Sequence, residues 1–333
     1  MNKIIYNENQ LLIKDDENYI IINNGEIVKR NIDNNIVITN EKNYQIDICN
    51  NNRSLNEENI IKYAPSVILV NINKTSDLKV VNINDVESFS NVVINVSDNV
   101  KANIYDINFS SKNVAHSLLE IICQENSNVV YSTIQKNENQ LNSLVNIYVC
   151  ENVNLNINSL SLNDSETNNC INVYMHKQFA TVNVNNSIIN NSSKVQGYEF
   201  NMYHLDKNSQ STLTNYAICK DNSVLNINSN GIIAKGCSKS KIYQKSKGII
   251  LDLTSAISAN PLLQIDEFDV EANHGASIGA IDDEDLYYLM SRGLTKTQSE
   301  HLIVGGFMEP IIKELDDELV KNYALYLIAE KLK

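Results

Sequence analysis

The sequence predicts a mainly β protein, a solenoid of stacked strands of the β-helix type, followed by a small α-helical module. From Ser66 onward, short runs of Ile, Val and Leu alternate with polar residues at the period of two that is typical of strands. No convincing helix lies between Ser66 and Leu263, which excludes an α/β fold with helical crossovers. A turn-like unit followed by an alternating strand also recurs along this region, as expected of a solenoid.

The repeated unit is a short turn that usually has Asn at its centre, a residue that tolerates left-handed backbone. Successive units are separated by 27, 26, 27, 29 and 14 residues, so the last step is about half of the others. From the pattern alone, a β-sandwich remains the alternative to a solenoid. The units are Asp98-Asn99-Val100, Glu125-Asn126-Ser127, Glu151-Asn152-Val153, Gln178-Phe179-Ala180, Lys207-Asn208-Ser209 and Asp221-Asn222-Ser223.

Three regions are predicted along the chain. Residues 1–65 form an irregular N-terminal leader with short strands at 19–22 and 36–38 and a helical turn at 56–62. Residues 66–281 form the β-helix core, and residues 282–333 form the C-terminal helical module. Asparagine makes up about one residue in six, but it alternates with apolar residues in strand phase. We therefore place the asparagines on solvent-facing strand positions rather than in a disordered, low-complexity segment.

Composition and charge exclude several functions. The formal net charge of −13 argues against binding to nucleic acid or to an anionic membrane, since both require a basic surface. The sequence has neither a secretory signal nor an apolar run long enough to span a membrane, so we expect a cytoplasmic protein. The six cysteines are scattered, without a C-x-x-C motif, and are interpreted as reduced thiols.

The stretch from Asn260 to Gly293 connects the last strands to the helical tail. Its apolar residues change phase at 266–267, which predicts a turn or a bulge there. His274 is expected on the same strand face as Phe268 and Val270, while Asp269 and Glu271 have the opposite parity. A histidine in this position is usually a packing residue, and its imidazole is alternatively a metal ligand.

The tail has clear helix signals. Asp282 is a good N-cap, Gly293 stands where a C-terminal cap is expected, and Thr295 begins a capping box. Gly305-Gly306 and Pro310 then predict two short helices with a bend, followed by a final helix over 316–331. This tail either packs on the solenoid, caps its open edge or docks a partner.

The same stretch resembles the C-terminal signature of the SufB/SufD family, the scaffold proteins of the Suf iron–sulfur cluster assembly machinery. A looser likeness extends back to Lys235, and upstream of about residue 200 it is only architectural. The matching residues are Ala259-Asn-Pro261, Ile265-Asp-Glu267, Asp269-Val270, His274-Gly-Ala276, Gly279, Asp282, Leu286-Tyr-Tyr-Leu-Met-Ser-Arg-Gly293 and Gly306-Phe307.

The resemblance implies a right-handed parallel β-helix and a non-catalytic scaffold without a stably bound cofactor, on which an iron–sulfur cluster forms transiently. It implies a SufC-type ABC ATPase bound to the C-terminal helices and a SufB-type paralogue bound to the end of the β-helix. His274 would lie near that interface as the tentative metal ligand, with Glu271 and Cys237 as further candidates. The SufC-docking candidates are Tyr287, Leu289, Met290, Arg292, Phe307 and Ile311.

Two departures from the family pattern bear on identity. The chain lacks the cysteine that SufB proteins carry shortly before the region equivalent to 253–259, and it has Asn273-His274-Gly275-Ala276 where SufB has a Glu-His-Glu-Ala-Thr run. Both favour a SufD-like protein. Gly231-x-x-x-x-Gly236 is followed by Cys237-Ser238 rather than Lys-Ser/Thr, so we expect no bound ATP.

Three functional hypotheses result. The first is a SufD-like scaffold subunit that pairs with a SufB-type chain and with SufC. The second is a minimal scaffold that forms a homodimer and needs only SufC, because the chain is shorter than many SufD proteins. The third, from another class, is a β-helix carbohydrate enzyme or surface adhesin, for which a signal peptide and an Arg-containing carboxylate cleft would be expected.

Overall fold

We describe a computed structural model of the chain over residues 5–7, 10–42, 44, 54–84, 86–110, 113–191 and 193–332. The strands are β1 Ile5–Asn7, β2 Gln10–Leu11, β3 Tyr19–Asn23, β4 Glu26–Asn31, β5 Ile36–Glu41, β6 Val67–Ile72, β7 Ser76–Asn84, β8 Ser88–Val96, β9 Lys101–Ser110, β10 Ala115–Cys123, β11 Asn128–Asn137, β12 Leu141–Val149, β13 Asn154–Ser161, β14 Thr167–Met175, β15 Thr181–Asn190, β16 Val195–His204, β17 Gln210–Cys219, β18 Val224–Ile233, β19 Lys241–Ile250, β20 Ala256–Ile265 and β21 Glu271–Ala280. The helices are α1 Leu55–Tyr63, α2 Asp283–Ser291, α3 Lys296–Lys313 and α4 Glu318–Lys331.

From β6 onward, consecutive strands alternate between two long sheets. The nine-stranded sheet has the order β20-β18-β16-β14-β12-β10-β8-β6-β5, and the ten-stranded sheet has the order β21-β19-β17-β15-β13-β11-β9-β7-β3-β4. From β6 to β21, each strand pairs in parallel with the strand two places further along the chain. This is a parallel β-solenoid of about eight turns, which confirms the predicted fold class and excludes the sandwich.

The main core lies between the two sheets. Inward-facing apolar side chains stack from one coil to the next; Ile104, Tyr131, Ile157 and Val184 form one such column, and each is at most 1% exposed. Because the sheets are parallel, equivalent residues of successive coils lie directly above one another. A strict alternation of apolar and polar residues in every repeat therefore produces a continuous apolar interior.

Residues with a left-handed backbone conformation form the corners between the sheets, as the turn units predicted. Asn99, Asn126, Asn152 and Asn208 have φ between 54° and 61°, and Phe179 adopts the same conformation. Their backbone N–H groups bond along the stack; for example, the N–H of Asn126 donates to the carbonyl of Glu151 at 3.0 Å. Asn supplies this conformation at less cost than most residues, which explains its recurrence here.

The short step of 14 residues has a structural explanation. Asp221 and Asn222 also have positive φ, but they lie in the opposite corner, between β17 and β18, together with Ser193. The first column of corners continues instead at Lys239, whose φ is 60° and whose N–H donates to the carbonyl of Asp269. The six turn units of the sequence thus belong to two different corners rather than to one series.

Many asparagines are not solvent-facing, contrary to our expectation. Asn146, Asn172, Asn201 and Asn230 occupy successive strands of the nine-stranded sheet, and each side-chain amide donates to the preceding one at 2.7–2.9 Å. The first three of these side chains are at least nine-tenths buried. Stacked amides satisfy each other's donors and acceptors along the stack, so asparagine is tolerated at buried positions as well as at the surface.

The N-terminal strands extend the two sheets. β3 pairs in parallel with β7, and β5 pairs antiparallel with β6. The predicted helical turn is the helix α1, which begins with a capping box between Ser54 and Glu57. The division at residue 65 into a leader and a core remains a prediction.

The tail packs on the outer face of the ten-stranded sheet. Val304, Met308 and Ile311 of α3 contact a second apolar cluster that includes Ile107 and Ile134. The predicted pair of short helices is wrong, since α3 continues through Gly305-Gly306 and contains Pro310. Packing of one apolar face on the sheet stabilises the helix across residues that would interrupt it in isolation. In the described part of the chain, no helix is long and apolar enough to cross a membrane.

Candidate functional site

The last coil of the solenoid is open. β20 and β21 each pair with one strand, β18 and β19, and no further coil lies over them among the described residues. The inward-facing side chains of β20 are consequently half-exposed, whereas Leu225 and Ile227, one coil earlier, are fully buried. The half-exposed side chains are Ile257, Ala259, Pro261, Leu263 and Ile265.

An open solenoid end presents two attractive features to another chain. Its apolar interior is partly in contact with water, and its terminal strands carry a row of backbone groups without a neighbouring strand. Pro261 lies in such an edge strand, where a missing N–H is tolerated. This end can therefore bind a further strand or a further solenoid.

His274 lies on the rim of the open end. In β21 it faces the direction of the solenoid interior, directly above Gln244 of β19, and its ring is exposed. Its predicted neighbour Phe268 does not share this face, because Phe268 is in the turn before β21 and is fully exposed. β20 ends at Ile265, and the chain bends at Phe268 and Asp269, two residues after the predicted position at 266–267. His274 is thus accessible to a partner rather than packed in a core.

Gln244 is a site residue that the sequence analysis missed. It is 5% exposed, and neither its amide nitrogen nor its amide oxygen has a hydrogen-bond partner among the described residues. Gly231 makes room for it, since a Cβ at that position would lie 2.9 Å from the Gln244 amide nitrogen. A glutamine at an inward position of the alternating segment 241–250 was the available signal.

Glu271 does not join His274. Its carboxylate lies on the outer face, where it accepts a hydrogen bond of 2.6 Å from the Tyr243 hydroxyl and pairs with Lys241 at 2.7 Å. These two partners lower the pKa of Glu271, the Lys241 hydrogen bond most of all. Asp269 lies in the turn before β21. The opposite strand parity of Glu271 and His274 predicts this separation.

Burial raises the pKa of the cysteine thiols in the part of the chain that the structure describes. Cys237 is 2% exposed in a cluster with Ile233 and Ile242, and burial raises its pKa. Burial also raises the pKa of Cys219 to about 11 and that of Cys170 to about 12. Sulfur transfer and metal binding use the thiolate, so these environments do not favour either role. Cys49 lies outside the described residues.

Helix α2 carries the docking candidates that are accessible. It begins two residues after β21, at the N-cap Asp282, and has no buried residue. Tyr287 is 75% and Met290 46% exposed, Leu289 is half-exposed, and Arg292 stacks on the Tyr288 ring at 5.2 Å. A helix with several exposed aromatic and aliphatic side chains is typical of a surface that a partner covers.

The two docking candidates on α3 are packing residues. Ile311 is 1% exposed against the ten-stranded sheet, so its assignment to a docking surface needs correction. Phe307 is half-buried and meets the Tyr216 ring edge-on at 5.3 Å. Both side chains hold α3 on the solenoid.

No group of three or more His, Cys, Asp or Glu side chains that could hold a metal ion occurs within the described residues. At the open end, His274 is the side chain best placed to bind iron, and a partner chain would have to supply further ligands. The predicted metal role of His274 therefore remains a prediction.

The fold and the site define a class of protein: a parallel β-solenoid with an uncovered last coil, an exposed helix beside it and a tail packed on one sheet. Residues 79–307 match the SufBD core domain of the SUF system for FeS cluster assembly. The match covers more than half of the chain. The chain therefore belongs to the SufB/SufD family of iron–sulfur cluster assembly proteins, and it is SufD-like.

Individual relatives support this assignment. The chain is 35% identical over 146 residues to the iron-sulfur cluster assembly protein SufD of Bacillus subtilis, which covers 44% of this chain and 33% of that protein. It is 30% identical over 105 residues to SufD of Escherichia coli, covering 31% of this chain and 25% of the relative. A SufBD family protein of Mycobacterium tuberculosis is 32% identical over 126 residues, 38% of this chain and 14% of the relative. The matched stretches thus span a third or less of these relatives.

Proposed function

We propose that the chain is a SufD-like scaffold subunit that has no catalytic activity of its own. It pairs through the open end of the solenoid with a SufB-type chain and binds a SufC-type ABC ATPase through α2. The open last coil is the single observation that carries this proposal, because an apolar solenoid end with edge strands requires a partner to cover it. We infer a cytoplasmic location from this role.

The two surfaces are directly connected. Only Ile281 and Asp282 separate the end of β21 from the start of α2. A movement that the ATPase imposes on α2 would therefore act on the edge strand that carries His274. We propose that ATP-driven movement of the docked helix opens the interface, and that His274 then contacts a transient iron–sulfur cluster together with ligands from the partner.

Docking can be tested by changing α2 alone. Deleting the whole tail would expose the sheet under α3 and α4, so we choose the double variant Tyr287→Ser/Met290→Ser, whose side chains are exposed. We expect the variant to bind the SufC-type ATPase at least about 10-fold more weakly in isothermal titration calorimetry, since exposed aromatic anchors contribute most to such interfaces. Leu325→Ser is the control, because Leu325 is similarly exposed but on α4. Equal loss in both variants contradicts docking through α2.

Pairing can be tested on β21. Ala276 and Ser277 are adjacent and exposed, but Ala276 faces the open interior and Ser277 faces outward. We expect Ala276→Glu to abolish pairing and Ser277→Glu to preserve it, because only the first buries a charge in the interface. The mass in light scattering, with and without a SufB-type chain, provides the measurement.

The same measurement distinguishes the two scaffold hypotheses. A chain of 37.5 kDa that doubles its mass by itself is the minimal homodimeric scaffold, whereas one that pairs only with the SufB-type chain is the SufD-like subunit. A wild-type chain that remains monomeric both alone and in the presence of a SufB-type chain contradicts the proposal.

A further inference from the structure

A large groove crosses the outer face of the nine-stranded sheet, on the side away from α3 and α4. Its volume is 1160 Å³, and α1 forms one wall. One column of outward-facing residues crosses six successive strands as its floor, which makes the groove about 24 Å long at the usual spacing of parallel strands. The column is Phe89, His116, Asn142, Asn168, Gly197 and Asn226.

One end of the groove is aromatic. The rings of Phe89 and His116 stack at 4.6 Å, and the Tyr63 ring lies 5.3 Å from Phe89. Lys62 already places its ammonium group 5.1 Å from the centre of the Tyr63 ring. Burial lowers the pKa of His116, which favours the neutral form of its ring. This end of the groove is suited to a flat, cationic group.

The middle of the groove is an amide ladder with an open position. The Asn168 side-chain amide donates to the Asn142 side-chain oxygen Oδ1 at 3.1 Å, and the Asn142 side-chain nitrogen Nδ2 lies 3.4 Å from the His116 Nδ1. The ladder stops at Asn168 because the next residue in the column, Gly197, has no side chain. Each amide offers more hydrogen-bonding groups than this ladder uses, so the floor can bond to a polypeptide backbone.

The groove is negatively charged. Glu57, Glu87 and Glu199 line it, and no Lys or Arg is among the described residues that do so. The Glu57 carboxylate accepts from Asn146 at 2.7 Å, and that of Glu199 accepts from Asn201 at 3.0 Å. These amides hold the carboxylates in place without neutralising their charge. The groove therefore favours a cationic ligand over an anionic or a purely apolar one.

We propose that this groove binds an extended, arginine-bearing segment of a partner protein. A guanidinium group stacks on aromatic rings and forms paired hydrogen bonds with carboxylates, and the groove offers both along one line. At about 3.3 Å per residue, a groove of this length accommodates about seven residues of extended chain. This surface is separate from the open end and from α2, so the proposal does not depend on the function proposed for either.

The test uses a fluorescein-labelled peptide of alternating arginine and glycine, about seven residues long, with lysine and glutamate versions for comparison. We expect fluorescence anisotropy to detect binding of the arginine peptide, weaker binding of the lysine peptide and no binding of the glutamate peptide. The double variant Glu87→Gln/Glu199→Gln should weaken binding about 10-fold, since two ion pairs are lost.

A second variant separates groove binding from general attraction to an acidic protein. Gly197→Trp fills the groove without changing charge, and a Cβ there meets its nearest neighbour, the Asn168 side-chain oxygen, at an ordinary 3.5 Å. We expect it to abolish binding, while Glu314→Gln, at the exposed C-cap of α3, leaves binding unchanged. Wild-type affinity in Gly197→Trp overturns the proposal if circular dichroism shows a folded chain; if the variant is unfolded, the Glu87→Gln/Glu199→Gln result decides. Binding of maltohexaose in place of the arginine peptide also overturns it, in favour of a carbohydrate site.

Discussion

His204 is completely buried and neutral. Its Nδ1 lies 2.6 Å from the Ser209 hydroxyl and its Nε2 lies 2.8 Å from the Ser211 hydroxyl, and Ser209 contacts Ser240 at 3.0 Å. Hydroxyl groups can donate to one ring nitrogen and accept from the other, so the neutral ring is satisfied. Burial lowers the pKa of His204 from 6.5 to about 3.

This histidine predicts a loss of stability in acid. Between pH 6.5 and about 3, His204 is protonated in the unfolded chain but not in the folded chain. The contribution of the neutral His204 to the free energy of unfolding is therefore complete above pH 6.5 and is lost as the pH falls toward 3. At pH 5 we expect a loss of about 2 kcal/mol in the free energy of unfolding. Urea denaturation at pH 7.5 and 5 measures it.

The variant His204→Gln isolates this contribution from other histidines, because burial also lowers the pKa of His116 and His176. The stability difference between wild type and variant should shrink by about 2 kcal/mol between the two pH values, since glutamine does not titrate there. A difference that is independent of pH would contradict the assignment.

Single turn residues explain the regularity of the corners. Phe179 adopts the left-handed conformation, φ 62°, that asparagine adopts in the neighbouring coils. An aromatic residue pays more for this conformation than asparagine does. Hydrogen bonds along the stack hold the corner in this conformation: the N–H of Asn152, one coil earlier, donates to the carbonyl of Gln178 at 3.1 Å. The coil stack thus overrides the local preference.

At the scale of elements, helix α4 is held on the solenoid at both ends by buried lysines. At its start, Asp317 pairs with Lys79 at 2.8 Å. At its end, Lys331 is 4% exposed, donates to the Asn163 carbonyl at 2.8 Å and to the Asn191 side chain at 2.9 Å, and pairs with Asp164. These contacts fix where the two ends of the helix lie on the solenoid.

Replacing Lys331 should therefore destabilise the protein well beyond a surface change. We expect Lys331→Met to lower the free energy of unfolding by about 2–3 kcal/mol, because the Asn163 carbonyl and the Asn191 amide lose a buried donor. The loss stays below that of a fully buried pair because Asp164 also pairs with Lys136. Guanidinium denaturation provides the measurement.

Lys313→Met is the matched control, since the ion pair of Lys313 with Glu309 is exposed. Such surface pairs contribute less than about 1 kcal/mol. Similar losses in the free energy of unfolding of the two variants would show that the burial of Lys331 does not determine its contribution to stability.

At the scale of the whole molecule, stability is expected to vary along the solenoid. Each coil contacts only its neighbours, so the last coil, covered on one side, has the fewest stabilising contacts. We expect amide hydrogen exchange to be fastest in β20 and β21 and slowest in central strands such as β12 and β13, because opening at an end breaks one interface rather than two.

A partner bound to the open end should slow exchange in β20 and β21 and leave the central strands unchanged. Mass spectrometry of exchanged peptides from the chain, free and mixed with a SufB-type partner, tests this. Protection that appears in α3 but not in β21 would place the interface elsewhere.

The solenoid, its corners and the caps of the tail helices could be predicted from local sequence patterns. Alternation in β9 and β11, the turn asparagines, Asp282 and Thr295 each reflect a preference that operates within a few residues, and the structure agrees with all of them. The candidate site could be predicted in part. His274 and α2 were identified from their residues, whereas Gln244 and the groove beside α1 were not, because their neighbours are distant in the chain.

There is a physical reason why some features of the structure could be predicted from the sequence and others could not. The period of two, the left-handed preference of asparagine and the capping residues depend on backbone geometry within one strand or turn, so the amino-acid order alone specifies them. The burial of Ile311, the stacking of Asn172 under cover and the exposure of His274 depend on which coil or helix lies above each residue. Only the packing of segments far apart in the chain decides that, because burial is a property of the surroundings and not of the residue.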